Sequence, residues 1–461
     1  MIGGIKGEKE GSMCCKAIML AFLTLSANFA ISVDCFALQK GNLYKELAIF
    51  SDVLDCVRSQ YVTVPDDKKM IEGAINGMLT SLDPHSSYLN ADESKQLDNI
   101  TSGEFAGIGI VVASDQKFVK VVSPMLDTPA AKAGILAGDL ISKVDGKDVY
   151  DNKLDANVKR MRGKIGTTVH LTIIRKGVAK PLEIAVKRDV IKIKDIIYRI
   201  NNNVGYIRLL EFTGHTFDDL SKAIADIQSK IPEDKIKGYI LDMRLNPGGL
   251  LNQAVKVSDA FLNSGIIVST KGRNKKSDML FSASKGDLIK GKPLLVMING
   301  GTASAAEIVA GALQDNGRAK ILGTRSFGKG SVQSVIPLSN GGALRLTTAL
   351  YYTPKGQSIQ GHGIDPDYKV LQPLPDKYKG LNVNIGESSL KGHIKGNIED
   401  SAGSGSSAYV PSDPKDDAQL IAAYKKIDEW NRTDQKVLSS KDSLNFFRNK
   451  LAKLTALLHK V

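Results

Sequence analysis

The stretch Val296-Met297-Ile298-Asn299-Gly300-Gly301-Thr302-Ala303-Ser304-Ala305-Ala306-Glu307 decides how the chain is read. Its first three residues close an apolar run from Leu294, of the kind that forms a buried strand. The Gly-Gly pair then turns the chain, and Ser304 opens a helix of small residues that reaches Leu313. A strand that turns directly into a helix exposes a hydroxyl at the helix N-terminus, where unpaired amides and the dipole favour negative charge. A nucleophilic serine needs that placement, because acyl transfer passes through an oxyanion. A serine there can equally cap the helix, so the stretch alone leaves both roles open.

Outward from this point, strands and helices alternate from about Asp189. Val204–Leu209 and Tyr239–Arg244 read as strands, and Asp218–Ile231 and Leu250–Leu262 as helices. Such alternation predicts an α/β core with a largely covered sheet, over residues 189–375.

A serine also needs a base. None of the six histidines, at 85, 170, 215, 362, 393 and 459, stands in an evident catalytic setting. A second loop, Gly323-Thr324-Arg325-Ser326-Phe327-Gly328-Lys329-Gly330-Ser331-Val332-Gln333, offers Lys329 between two glycines that allow close backbone approach. A lysine that is neutral near pH 7 must lose about 3.4 units of pKa, roughly 4.6 kcal/mol. Only burial supplies a shift of that size, so the base role requires Lys329 to be buried, and a solvated loop lysine is the alternative. The loop also begins like a phosphate-binding loop. Gly330 stands where that motif needs Ser or Thr, however, and Val332–Pro337 reads as extended where it needs a helix.

Upstream, the period changes to two. Phe118–Val122 and Val169–Arg175 read as strands, Thr128–Gly134 as a short helix with Pro129 at its first position, and Gly138–Gly146 as a strand closed by an Asp-Gly turn. Residues 99–188 thus form a compact β-rich module. Before it, 38–98 is a helical segment with helices over Asn42–Gln60 and Asp66–Leu82, broken at Pro84. After the core, residues 376–461 hold a linker and a helical end. Asp400–Asp413 reads as a flexible linker, and Asp417–Trp430 and Ser443–His459 as helices.

At the N-terminus, Lys6, Lys9 and Lys16 precede an apolar run from Ala17 to Val33. Residues 1–37 are therefore expected to be a signal peptide, with an uncleaved membrane anchor as the alternative. Cleavage after Ala37 leaves Cys56 as the one cysteine, so no internal disulfide is expected. No Cys or His pair has zinc-ligand spacing, and neither a metal nor a cofactor is expected. The 461 residues call for two to four domains. The net charge of +13 can attract polyanions. No stretch interleaves aromatics with Lys and Arg, so nucleic acid is not an expected partner.

Taken together, the residues resemble the carboxyl-terminal processing serine peptidases, or tail-specific proteases, over about 45–430. Asn299–Glu307 resembles the family's nucleophile motif and Phe327–Gln333 its lysine motif, at a serine-to-lysine separation of 25 and a lysine-to-glutamine separation of 4. Ala306 stands where many members have serine. The resemblance implies an α/β fold related to the ClpP and crotonase sheets, with a PDZ domain and helical ends. It also implies an endopeptidase in which Ser304 attacks, Lys329 is the base and Gln333 orients Lys329. Leu241–Gly249 resembles the strand and turn that supply an oxyanion amide, from Gly248 or Gly249, with the Ala305 amide as its partner. Leu245 departs from the family's usual Asp or Asn. Gly107-Ile108-Gly109-Ile110 resembles the PDZ loop that captures a free C-terminus, and Arg162 sits where members can carry an arginine linking that domain to the protease. Asp83–Tyr88 and Gly363–Asp367 match as structural turns. The implied partners are proteins and peptides with free C-termini; the terminal helices leave room for a homodimer, with the oligomeric state open. The implied location is the periplasm or the outer face of the inner membrane. A catalytically silent peptide-binding adaptor on the same scaffold is the competing reading.

Overall fold

The computed structural model describes residues 43–115, 117–149, 154–378, 384–396 and 405–433. The expected signal segment 1–37 and the expected helix 443–459 lie outside the described residues. Two units divide at Gly77. In the first, residues 43–60 are helical and leave Leu43, Tyr44, Leu47 and Phe50 exposed. A second helix, Asp67–Thr80, crosses the boundary. No helix among the described residues is long and apolar enough to cross a membrane.

In the second unit, a helix over Ala91–Ser102 follows the Pro84 break. Its N-terminus is fixed by a reciprocal pair, Asn90 Oδ1 accepting from Glu93 N–H and Glu93 Oε2 accepting from Asn90 N–H.

The β-rich module is an antiparallel sheet in the order Ile110–Asp115, Phe118–Pro124, Leu140–Val144, Thr168–Ile174, Leu182–Lys187. Val121, Ile141, Val144, Val169, Leu171 and Ile173 fill its core because alternate residues of each strand point inward. Ile110–Asp115 is one of the two edge strands, paired on one side only among the described residues. The module is joined to the core by a two-stranded ribbon, Glu104–Gly107 against Asp189–Lys192.

The core sheet runs Ile196–Asn201, Val204–Leu209, Gly238–Asp242, Leu294–Ile298, Lys320–Gly323, Tyr368–Lys369, parallel after the first pair. Gly238–Asp242 and Leu294–Ile298 are buried at every position, as strands covered on both faces must be. On one face Leu241, Val296, Ile298 and Ile321 pack against helices Thr216–Lys230, Leu251–Asp259 and Ala305–Asp315. On the other, Ile240, Leu295, Met297 and Leu322 pack against Leu420, Ala423 and Ile427 of helix 418–433. A second antiparallel sheet is organised around the long strand Ala343–Tyr352, which pairs with Ser331–Pro337, Ile266–Gly272 and Ser87–Leu89. The α/β class, the PDZ-type module and the helical ends agree with the sequence reading.

The expectation of a flexible linker over Asp400–Asp413 is corrected for its described part. Ser406–Ser407 form a short strand against Asn384–Ile385, and the Ser406 hydroxyl bonds the Arg325 carbonyl oxygen at 2.6 Å. Composition pointed to mobility because Ser and Gly carry no periodicity. The order comes from backbone and hydroxyl hydrogen bonds that hydropathy cannot register.

Candidate active site

The turn that leads to Ser304 is built by polar locks. Asn299 Oδ1 accepts from the Leu245 and Gly301 N–H groups at 3.1 and 3.0 Å. Thr302 Oγ1 accepts from Asn299 N–H and donates to the Met243 carbonyl oxygen. Ala303 N–H donates to the Asn246 carbonyl oxygen at 2.9 Å. These bonds drive Ser304 to φ 55° and ψ −116° at the start of helix Ala305–Asp315. A β-carbon-bearing residue adopts that conformation only at a cost, and such strain gathers at functional sites. Glu307 N–H donates to the Ser304 carbonyl oxygen at 2.9 Å, and the Glu307 carboxylate accepts from Ser304 N–H, which together hold the start of the helix.

Three amides were candidates for an oxyanion hole. Gly248 lies against the serine, and a Cβ there would come within 2.8 Å of Ser304 Cβ and 3.0 Å of Ala305 N, so only glycine fits. Its own N–H donates to Asn246 Oδ1 at 2.9 Å. The Gly249 and Ala305 N–H groups have no acceptor among the described residues. Leu245 takes φ 62° in the same turn, and its N–H is held by Asn299.

Lys329 stands where Gly328 and Gly330 allow the chain to approach residues 360–363. Gly361 N–H donates to the Gly328 carbonyl oxygen at 2.8 Å, and Gly330 N–H donates to Gln360 Oε1 at 2.9 Å. The lysine is partly buried. Burial first, and then the Arg345 guanidinium, push its pKa below the ordinary value, while Glu387, Glu307 and Asp83 push the other way.

Glu307 joins the two motifs. It is fully buried, and Oε2 accepts from both Ser304 N–H at 2.7 Å and Lys329 N–H at 2.9 Å. Oε1 accepts from Gly328 N–H at 2.7 Å and the Ser326 hydroxyl at 2.5 Å. Burial pushes this carboxyl up to about 7, against four donors that favour its ionised form. The backbones of Ser304 and Lys329 are thus brought together through Glu307.

Gln333 lies on the strand that leaves the lysine loop, just past a register shift between Val332 and Gln333. Its amide donates to Ser331 Oγ at 2.9 Å and Thr347 Oγ1 at 3.2 Å, and makes no bond to Lys329. Thr347 in turn donates to Asp83 Oδ1 at 3.0 Å. The Asp83–Tyr88 stretch is therefore more than a turn. Asp83 is buried, and the ring of His85 meets both carboxylate oxygens of buried Glu387 at 2.9 Å. The Arg345 guanidinium donates to the His85 carbonyl oxygen at 3.1 Å. Periodicity could not have paired residues 83 and 85 with partners some 260 to 300 positions away.

In the β-rich module, Gly109 takes φ 79°, a conformation that favours glycine. The Thr128 hydroxyl bonds the Gly109 and Met125 carbonyl oxygens at 3.1 and 2.6 Å, which fixes the loop Gly107–Ile110 just before the edge strand. Arg162 stacks over the Phe105 ring at 5.4 Å, on the ribbon that joins module to core. Gly363–Asp367 braces the lysine loop, with Ile364 N–H donating to Ser326 Oγ and Asp365 paired with Arg325.

Comparison with known proteins gives three family matches. Residues 203–370 match peptidase family S41, residues 106–187 match a PDZ domain, and residues 27–93 match the activating protease CtpB N-terminal domain. A "Carboxy-terminal-processing protease" of Bartonella bacilliformis is 62% identical over 409 residues, 88% of this chain and 94% of that protein. The "Carboxy-terminal processing protease CtpA" of Bacillus subtilis is 37% identical over 350 residues, 73% of this chain and 74% of that protein. Among solved structures, a photosystem II D1 C-terminal processing protease aligns at 29% identity and a TM-score of 0.42, covering 69% of this chain and 86% of that one.

Proposed function

Because the chain belongs to peptidase family S41, the carboxyl-terminal processing serine peptidases, we propose that Ser304 is its nucleophile and Lys329 its general base. The observation that carries this reading is the shared Glu307 carboxylate, which holds the backbones of both residues from one buried point. In this mechanism neutral Lys329 takes the Ser304 proton as Oγ attacks the scissile carbonyl carbon. The oxyanion is received by the Ala305 and Gly249 amides, with Gly248 allowing close approach. The lysine ammonium then protonates the leaving amine, and a water deprotonated by Lys329 releases the acyl group. Gln333 orients Lys329 by accepting from its amino group at Oε1, while its NH2 group is held by Ser331 and Thr347.

Substrates are proteins and peptides. We propose that they are selected by their free C-termini. The amides of Gly107–Ile110 receive the terminal carboxylate, and the peptide main chain adds to the open edge of Ile110–Asp115. Cleavage then serves precursor processing or quality control of envelope proteins. The basic and apolar N-terminal segment directs export, to the periplasm or the outer face of the inner membrane. The exposed Leu43, Leu47 and Phe50 of helix 43–60 supply a face for a homodimer.

The test compares the full chain with Ser304→Ala on a tailed protein substrate and on the same protein with its tail amidated. The expected result is cleavage of the tailed form by the wild-type protein alone. Equal cleavage by wild type and variant would overturn the assignment.

A further inference from the structure

Residues 405–419 come from a stretch beyond the match to the peptidase family, yet their polar contacts reach all three loops of the site. The Ser407 carbonyl oxygen accepts from Gly300 N–H at 3.3 Å, in the turn that leads to Ser304. A Cβ on Gly300 would collide with the Ser406 carbonyl oxygen, and one on Gly301 would lie 3.2 Å from Ala408 Cβ. The Ser406 hydroxyl bonds the Arg325 carbonyl oxygen at 2.6 Å and Thr324 Oγ1 at 2.9 Å, in the loop that leads to Lys329. The partner strand Asn384–Ile385 continues into Glu387, whose N–H donates to the Phe327 carbonyl oxygen at 2.9 Å. Further along, Asp417 grips Arg244, one residue before the oxyanion turn begins. Both carboxylate oxygens of Asp417 accept from the guanidinium, at 2.8 and 2.7 Å, and Gln419 Oε1 accepts a third bond at 3.0 Å. Asp242 engages the rest of the guanidinium, and every member of this group is buried.

We infer that residues 405–419 are a strap that sets the spacing of the catalytic loops, with Ser406 and Asp417 as positioning residues. Ser406 touches the serine turn with its backbone and the lysine loop with its hydroxyl. It therefore fixes from outside the separation that Glu307 fixes from within. Asp417 orients the guanidinium that sits beside Leu245–Gly249, and at the same time accepts from Leu420 N–H at 2.9 Å where helix 418–433 begins. The helix that covers one face of the sheet is thus coupled to the oxyanion turn. Reaction rates depend steeply on such spacing, since a misplacement of about 1 Å can cost about 100-fold.

The inference rests on Ser304 being the nucleophile, and the test separates the two claims. The full chain and its Ser406→Ala, Ser406→Thr and Asp417→Asn variants are treated with a small aryl fluorophosphonate, which requires no docking of a C-terminus. The rate of adduct formation, the melting temperature, and kcat and KM for a short ester are measured. Ser406→Ala is expected to slow adduct formation and lower kcat by about 10-fold or more, with KM and melting temperature unchanged. Ser406→Thr, which keeps the hydroxyl, is expected to restore most of the rate. Asp417→Asn is expected to slow the reaction at least as much. Should it fail to fold, Ser406→Ala alone decides. Wild-type rates in folded Ser406→Ala would overturn the strap. A wild-type chain that forms no adduct at Ser304 would overturn the underlying assignment instead.

Discussion

Ser304 and Lys329 donate their backbone N–H groups to the same oxygen, Oε2 of Glu307, at 2.7 and 2.9 Å. Two loops separated by a helix and a strand are thereby tied to one buried atom. Glu307 stands on the first turn of the helix that Ser304 opens, so the helix itself carries the tie.

Glu307→Gln replaces one acceptor oxygen with an NH2 group in a site where four donors converge. One N–H or hydroxyl donor then faces another donor. Stability should fall by about 1–3 kcal/mol through the unsatisfied groups, and kcat by about 100-fold through misplacement. Urea denaturation and steady-state kinetics on the same samples check both. A fall in stability with kcat intact would remove Glu307 from the positioning role.

The pH dependence of stability follows from the same carboxyl. Its folded value of about 7 lies above the ordinary 4.5. Between those values the folded chain holds a proton that the unfolded chain has released. The contribution therefore favours folding fully below about pH 4.5 and is lost as pH rises through about 7. Melting temperature should decline over that window in the wild-type protein, and the decline should be smaller in Glu307→Gln. The carboxylate is the form suited to four donors, so activity should rise over the same window in which stability falls.

Lys329 is held below its ordinary value by burial and then by Arg345. A base acts when deprotonated, so kcat/KM should increase with pH towards the alkaline side. Arg345→Gln removes a nearby positive charge and makes the ammonium easier to form. The midpoint of the alkaline rise should move to higher pH. A midpoint that stays in place, or moves down, would show that Arg345 does not act on this lysine.

The Ser304 and Lys329 motifs were legible in the sequence because their signals are local. A Gly-Gly turn after an apolar strand, and a lysine between glycines, are patterns written in consecutive residues. The central strands were legible because a strand covered on both faces must be apolar throughout. The polar scaffold was not legible. Glu307 could be read as part of a motif but not as a junction, since its four donors come from two separate loops. Asp83, His85 and Glu387 meet near Lys329 from opposite ends of the second unit, and no periodicity encodes that meeting. Ser406 lay in a stretch whose composition suggests a linker, because hydrogen bonds to backbone carbonyls leave no hydropathic trace. Gln333 carried the expected spacing, while the bonds of its amide NH2 group to Ser331 and Thr347 were not encoded in it.

Leu245 gives a separate test of the turn Leu245–Gly249. It holds φ 62°, a conformation that leucine reaches at a cost of about 1–2 kcal/mol. Its side chain is half exposed, and its N–H is already satisfied by Asn299. Leu245→Asn should therefore raise stability by about 1 kcal/mol, because asparagine tolerates the left-handed region. Chemical denaturation measures it, and a loss of stability would mean that the contact with Gly301 outweighs the backbone strain.

The most direct test of the Ser304–Lys329 pair is the rate and location of a covalent adduct. The full chain and Lys329→Ala are reacted with a fluorophosphonate over a range of pH, and the modified peptide is mapped by mass spectrometry. The adduct should sit on Ser304, form faster as pH rises in the wild-type chain, and form about 100- to 10,000-fold more slowly in Lys329→Ala. An adduct on another residue, or an equal rate in Lys329→Ala, would contradict the pairing of Ser304 with Lys329.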